Sequence, residues 1–251
     1  MKIQYCSDLH LEFEKNSNYL ADNPLKVSGE ILILAGDIVP LHDKYLSIPF
    51  LKDISEKYKK VFWLVGNHEF YHRDMAEFSK TIDITLHNNI HIVNNTCLEY
   101  ENVQFIFSSL WSRISPKNEI VMEQGVSDFE CISINNKKFK AVDFNRLHSE
   151  SLSFIKMSIS KNAEKTVVIT HHLPSSLCNS KINEKSIINE AFCVDLTDFI
   201  ETCNANFWIY GHSHFNQKPL YIGNTLVITN QLGYVHYNEQ GSFKNNAYFS
   251  I

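Results

Sequence analysis

The sequence predicts an α/β protein built on two mixed β-sheets with helices outside, and three observations carry that prediction. Short runs alternate with helix-period segments through much of the chain, as parallel crossover units do. Several of those runs are almost wholly apolar, as strands buried on both faces are. The tail differs: Leu220–Ile222 and Leu226–Thr229 flank Gly223-Asn224, the pattern of an antiparallel hairpin whose turn carries positive φ.

In chain order, strands are predicted at Lys2–Cys6, Ile31–Ala35 and Val61–Val65. Phe50, Leu51, Ile54 and Tyr58 share one face of a helix, and Met75, Phe78, Ile82 and Leu86 are read the same way. Thr96–Tyr100 and Val103–Phe107 read as strands. The stretch 112–140, with Pro116, Gly125 and Asn135-Asn136, has no clear period and is expected to form a lid or cap beside a site. A helix over Val142 to Ser160 turns Phe144, Leu147, Leu152, Ile155 and Ile159 inward. Strands at Thr166–Ile169, Phe207–Tyr210, the hairpin and Ala247–Ser250 complete the chain. No repeat, low-complexity tract or linker interrupts it, so residues 1–251 are read as one domain.

Composition narrows the function. The 251 residues carry 23 Lys+Arg against 28 Asp+Glu, a net charge of −5 that offers no footprint for a long polyanion. Stable nucleic-acid binding is therefore not expected. No apolar run approaches the roughly 18 residues needed to cross a bilayer, and the chain opens strand-like without a signal core. The expected location is cytoplasmic, with no membrane partner. Six scattered cysteines lack any C-x-x-C pair and read as reduced thiols.

Five strand ends carry the chemistry. They are Asp8-Leu9-His10, Gly36-Asp37, Gly66-Asn67-His68-Glu69, Thr170-His171-His172 and Gly211-His212-Ser213-His214. If its strand persists, Asp8-Leu9-His10 projects a carboxylate and an imidazole from one face, a pair that can close on an ion. Asp37 stands at a sheet edge, where one carboxylate can bridge two metals. Asn67 offers a neutral oxygen, and His68 a group of near-neutral pKa that can protonate a leaving oxygen. His212 and His214 repeat the first spacing. Taken singly, each motif also fits a turn, an N-cap or a helix start. Five of the twelve histidines (10, 68, 171, 212 and 214) at strand ends argue for one site.

In this ordered set the chain resembles the calcineurin-like metallophosphoesterase superfamily, over residues 8 to 214. The resemblance implies a four-layer α/β/β/α sandwich and a dinuclear centre. One divalent ion would be held by Asp8, His10, Asp37 and His214, the other by Asp37, Asn67, His171 and His212. His68 would be the acid that protonates the leaving group. A hydroxide bridging the ions would attack phosphorus, and the nitrogen and oxygen donors suit Mn, Fe, Zn or Ni. The second motif departs from the G-D-x-x-D-R-G of the superfamily's protein phosphatases. Pro40 stands where a carboxylate would orient His68, and Asp43 is the candidate replacement.

The implied activity is hydrolysis of a small phosphoester, preferably a diester such as a nucleotide. A phosphomonoesterase or nuclease is the rival among enzymes, and a non-catalytic binding scaffold of the same fold is the rival of another class. Arg73, Arg113 and Arg146 are candidates for gripping a phosphate, with Trp111 beside Arg113 as a rest for a base or sugar.

Overall fold

A computed structural model describes residues 1–159, 163–181 and 183–251. The chain begins with β1 (Lys2–Cys6), α1 (Glu14–Asp22), β2 (Ile31–Ala35), α2 (Pro49–Lys57) and β3 (Lys60–Leu64). Next come β4 (Arg73–Asp74), β5 (Ile82–Leu86), β6 (Ile90–Asn94), β7 (Thr96–Tyr100) and β8 (Val103–Ser108). A middle section holds α3 (Glu119–Gly125), α4 (Asp128–Cys131), β9 (Ile132–Ile134) and β10 (Lys137–Lys138). The last part has α5 (Ala141–Ser158), β11 (Lys165–Thr170), α6 (Thr197–Thr202) and β12 (Phe207–Tyr210), then β13 (Leu220–Ile222), β14 (Thr225–Thr229) and β15 (Tyr248–Ser250).

Two six-stranded sheets follow the orders β15-β1-β2-β3-β6-β5 and β13-β14-β12-β11-β8-β7. In each, four parallel strands are closed at both edges by an antiparallel one. The two-residue period of a strand explains the layers. Ile3, Ile33, Phe62 and Leu64 from the first sheet share one core with Phe105, Phe107, Val167, Ile169 and Ile209 from the second. Their neighbours point the other way. Leu32, Leu34, Val61 and Trp63 pack with Leu20 of α1 and with Leu51 and Ile54 of α2. Ile106, Val168, Trp208 and Tyr210 pack with Ile155 of α5 and Ile200 of α6. The result is the expected helix–sheet–sheet–helix sandwich.

Three expectations are corrected. The helix read through Met75, Phe78, Ile82 and Leu86 is a single 3-10 turn at Met75–Glu77 followed by β5. Ile82, Ile84 and Leu86 also alternate with polar residues. The β-branched pair Ile82 and Ile84 favours the extended form on an edge strand. β6 and α1 had no counterpart in the sequence reading. The 112–140 stretch is not irregular, for it forms α3, α4, β9 and β10, with Met122, Phe129, Ile132 and Phe139 buried in the core. Trp111 is also buried, against Phe70, Phe139 and Phe144, and is no surface platform. The long helix ends at Ser158, and the predicted end at Ser160 lies outside the described residues.

Candidate metal centre

The strand ends do not simply continue outward. β1 stops at Cys6, and Asp8 and His10 lie in the left-handed region at φ 56 and 47. Asp37 (φ 56), His212 (φ 75) and His214 (φ 51) do the same. Such residues cost of order 1–3 kcal/mol each and persist only where neighbours hold them. Here hydrogen bonds do: Asp8 N–H donates to Gly36 O, His10 N–H to the Asp37 carbonyl and His212 N–H to the Asp8 carboxylate at Oδ1, at 2.9 to 3.0 Å. The expected extended Asp-x-His pair is therefore a left-handed turn, used twice.

Two glycines make room for the ligands. Gly36 sits at φ +95, and a Cβ there would meet His171 Nδ1 at 2.3 Å. A Cβ on Gly66 would lie 2.2 Å from Asp37 Oδ1. Glu69, in the first turn of a 3-10 helix at His68–Phe70, accepts four bonds. The donors are the backbone N–H groups of Gly66 (2.6 Å), Asp37 (3.0 Å) and Ile38 (2.8 Å) and the indole of Trp63 (2.8 Å). It locks the second and third motifs together.

The structure brings all the sequence-predicted metal residues to one place. Ligand atoms of Asp8, His10 and His214 lie within 4.8 Å of one another, as do those of Asp37, His171 and His212. His171 Nε2 stands 3.3 Å from Asp37 Oδ2 and 3.1 Å from Asn67 Oδ1, and His10 Nε2 stands 3.8 Å from the same Asp37 oxygen. Asp37 thus lies between the two groups.

Hydrogen bonding shows that these atoms suit a cation. The Nδ1–H of His10 donates to Glu12 (3.2 Å), that of His214 to Glu239 (2.7 Å) and that of His171 to Ala35 O (2.9 Å). With Nδ1 carrying the proton, each neutral ring turns a bare Nε2 inward. The Nε2 atoms of His10 and His214 then face each other at 3.0 Å, with Asp8 Oδ1 3.5 Å from the latter. Lone pairs converge without a donor, and only a cation or a proton can reconcile them.

Without metal, protons do so. Burial opposes the charge, but Asp37 and Asp8 push His171 up to about 10. Against the same burial, Asp8 and Glu239 push His214 up to about 9. Burial and neighbouring imidazoles hold His10 and His212 below the usual histidine range. His171 and His214 are thus protonated in the metal-free protein at pH 8 and must lose that proton to coordinate. The two rings are expected to contribute about two of the protons released on metal binding at pH 8, a contribution that falls toward zero above about pH 10. Calorimetry in buffers of differing ionisation enthalpy measures this, and binding without proton release would deny these two rings a place among the ligands.

Asn67 is aimed by a residue the sequence reading missed. Its Nδ2 donates to Asp128 Oδ1 at 2.8 Å, which turns Oδ1 toward His171, and Tyr71 OH donates to the same Asp128 oxygen at 2.8 Å. Glu12, Tyr234 and Glu239 were missed as well. His68 lies beside the metal residues, stacked on Tyr71 (ring centroids 3.9 Å apart), with Nε2 3.3 Å from Tyr234 OH. Its Nδ1–H donates to Glu12 at 3.0 Å, whereas Asp43, the expected partner, is exposed. His172 is fully buried against the His212 ring. Cys6 is buried in the core.

A cavity of about 340 Å³ opens at this centre, lined by Asp37, Asn67, His68, His212, His214 and Tyr234 together with Ser127, Asp128, Asn183 and Asn189. No lysine or arginine lines it among the described residues. Arg73 is turned away, donating to Glu77 and to Leu41 O, Arg113 is exposed, and Arg146 pairs with Asp143 and Glu150. The phosphate-gripping arginines expected from sequence are thus absent from the cavity.

The family model of the calcineurin-like phosphoesterases matches residues 1–216. The uncharacterized protein L509 of Acanthamoeba polyphaga mimivirus is 32% identical over 275 residues, covering 99% of this chain and 96% of its own length. Among solved structures, the phosphopantetheinyl hydrolase of Mycobacterium tuberculosis is similar with a TM-score of 0.71 and 15% identity, over 97% of this chain and 94% of that one. That likeness is one of fold. A dimetal phosphatase of Danio rerio has a TM-score of 0.49 and 13% identity, over 92% and 87% of the two chains.

Proposed function

Because the chain belongs to the calcineurin-like phosphoesterase family, we propose that it hydrolyses a small phosphodiester, such as a nucleotide, at a two-metal centre with His68 as the acid. Asp8, His10, Asp37 and His214 hold one divalent ion in this reading, and Asp37, Asn67, His171 and His212 the other. The observation that carries it is the convergence of imidazole nitrogens and carboxylate oxygens beside one cavity, whose lining includes Asp37, Asn67, His212 and His214. Bound Mn, Fe, Zn or Ni ions supply Lewis acidity and an activated water.

The chain's own residues do the rest. Asp37 and Asp8 offset the cations' charge, leaving a surplus that draws an anionic phosphoryl group. His68, beside the ions yet not among their ligands, holds a proton at Nε2 for the departing oxygen. Tyr71 and Tyr234 pack about that ring.

The cavity wall favours the diester. A monoester dianion calls for cationic side chains, commonly a bidentate arginine, and the cavity instead adds Asp128 and Glu239. A singly charged diester suits that balance. The volume suits one small ligand and disfavours a nucleic-acid strand, as does the net charge of −5.

The test is elemental analysis of the purified protein, then assay with each metal against bis(p-nitrophenyl) phosphate, p-nitrophenyl phosphate, cyclic and linear nucleotides, a phosphopantetheinyl diester, and single- and double-stranded DNA. Diesters are expected to exceed monoesters in kcat/KM by about tenfold or more. The reverse ratio overturns the diester reading. Hydrolysis of nothing, with metal bound, leaves a binding scaffold.

A further inference from the structure

We infer that Glu12 is the residue that orients His68 for proton donation, and that it serves the metal-facing His10 through the same oxygen. The inference rests on the reading of His68 as the acid. The Pro40 side chain has no group that could hold an imidazole, and Asp43 is exposed. Glu12 reaches the ring from the opposite side of the sequence, 56 residues away. Its Oε1 accepts from His68 Nδ1–H at 3.0 Å and from His10 Nδ1–H at 3.2 Å. The side chain is 9% exposed, and Oε2 is buried with no hydrogen-bond partner. A buried carboxylate whose only bonds among the described residues go to two imidazoles is committed to both.

Ligand atoms of His10, Glu12 and His68 also lie within 4.8 Å of one another. The distances of 3.0 and 3.2 Å are those of N–H···O bonds, so the trio is a shared carboxylate.

The consequence for chemistry is specific. With Nδ1–H held by Glu12, only Nε2 can exchange a proton at the cavity. As the P–O bond breaks, the leaving oxygen takes the bonding pair and then the Nε2 proton. His68 passes from imidazolium to neutral imidazole, with Glu12 still bonded at Nδ1. A carboxylate in that position fixes the ring's orientation and stabilises its charged form. Glu12 does not touch the reacting atoms; it is a positioning residue. Through His10 it also places the acid and one ion in fixed relation.

Glu12→Gln keeps the size and the Oε1 acceptor, so both imidazole contacts can survive while the negative charge that stabilises the His68 imidazolium is lost. The readout is the dependence of kcat on the leaving group, from p-nitrophenol, which departs readily unprotonated, to simple alcohols, which do not. Glu12→Gln is expected to lose about tenfold more rate on alkyl than on p-nitrophenyl esters, with metal content within twofold of wild type by elemental analysis. His68→Ala should steepen the dependence further, and Glu12→Gln with His68→Ala should match His68→Ala alone, since residues acting as a unit are not additive. Glu12→Asp, shorter by one methylene, should fall between wild type and Glu12→Gln, and carries the test if Glu12→Gln does not fold.

A uniform loss across all leaving groups, or loss of metal in step with activity, overturns the role of Glu12. If His68→Ala steepens the dependence while the Glu12 variants do not, His68 stands and Glu12 fails. If His68→Ala leaves the dependence flat, the acid was misassigned from the start.

Discussion

Asp37→Asn is expected to empty both cation positions and to lower hydrolysis by more than about 10⁴-fold, since Lewis acidity and water activation depart together. Among the described residues, Asp37 is the carboxylate that lies between the two groups. Its Oδ2 is 3.3 Å from His171 and 3.8 Å from His10, and its Oδ1 accepts from His68 N–H at 2.9 Å. Burial would raise its pKa, yet His171, His68 and His10 hold it well below the usual carboxylate range, so it is ionised. Asparagine matches its shape, keeps an oxygen for the His68 amide and tolerates the left-handed backbone. The change therefore removes charge and little else. Elemental analysis and kcat are the measurements. Metal content and activity equal to wild type would dismantle the centre as described, and loss confined to one metal would place Asp37 in a single group.

Much of this centre was legible because its ligands are local. Asp8, Asp37, Asn67 and the histidines at 171, 212 and 214 each follow directly on a strand whose apolar run the sequence displays, and parallel strands deliver such ends to one edge. The sandwich was legible for the same reason. Runs such as Phe105-Ile106-Phe107 and Val167-Val168-Ile169 are apolar throughout, the mark of strands covered on both faces, and their successive residues enter different cores. The supporting residues were not legible. Asp128 meets Asn67 across 61 positions and Glu12 meets His68 across 56, and no period or spacing encodes those meetings. Asp128 moreover sits in the 112–140 stretch, where the sequence shows no regular element. Glu12 had one overlooked signal, its place two residues beyond His10. The left-handed turns were hidden too. Aspartate and histidine are enriched at positive φ but do not demand it as glycine does, so strand continuation was the simpler reading of Asp8-Leu9-His10.

His68→Ala is expected to keep both metals and to lower kcat by about 10²- to 10⁴-fold, the range lost when a general acid is removed. The ring's nitrogens are engaged away from the ions, Nδ1 with Glu12 and Nε2 near Tyr234. Alanine retains the backbone N–H that donates to Asp37, so the bridging carboxylate keeps its support. The void left beside Tyr71 adjoins an open cavity that water can fill, so a lesser effect is expected on folding than on turnover. KM should change little, because the phosphoryl group is held by the centre and not by the ring. The pair of variants then separates two jobs that lie within a few ångströms of each other. Asp37→Asn loses metal and activity together, whereas His68→Ala loses activity with metal in place. Should His68→Ala shed its metals, the ring belongs to the ligand set. Should it turn over at the wild-type rate with alkyl esters, another group supplies the proton, and Tyr234, in the cavity wall and hydrogen-bonded to His68, is the first to replace.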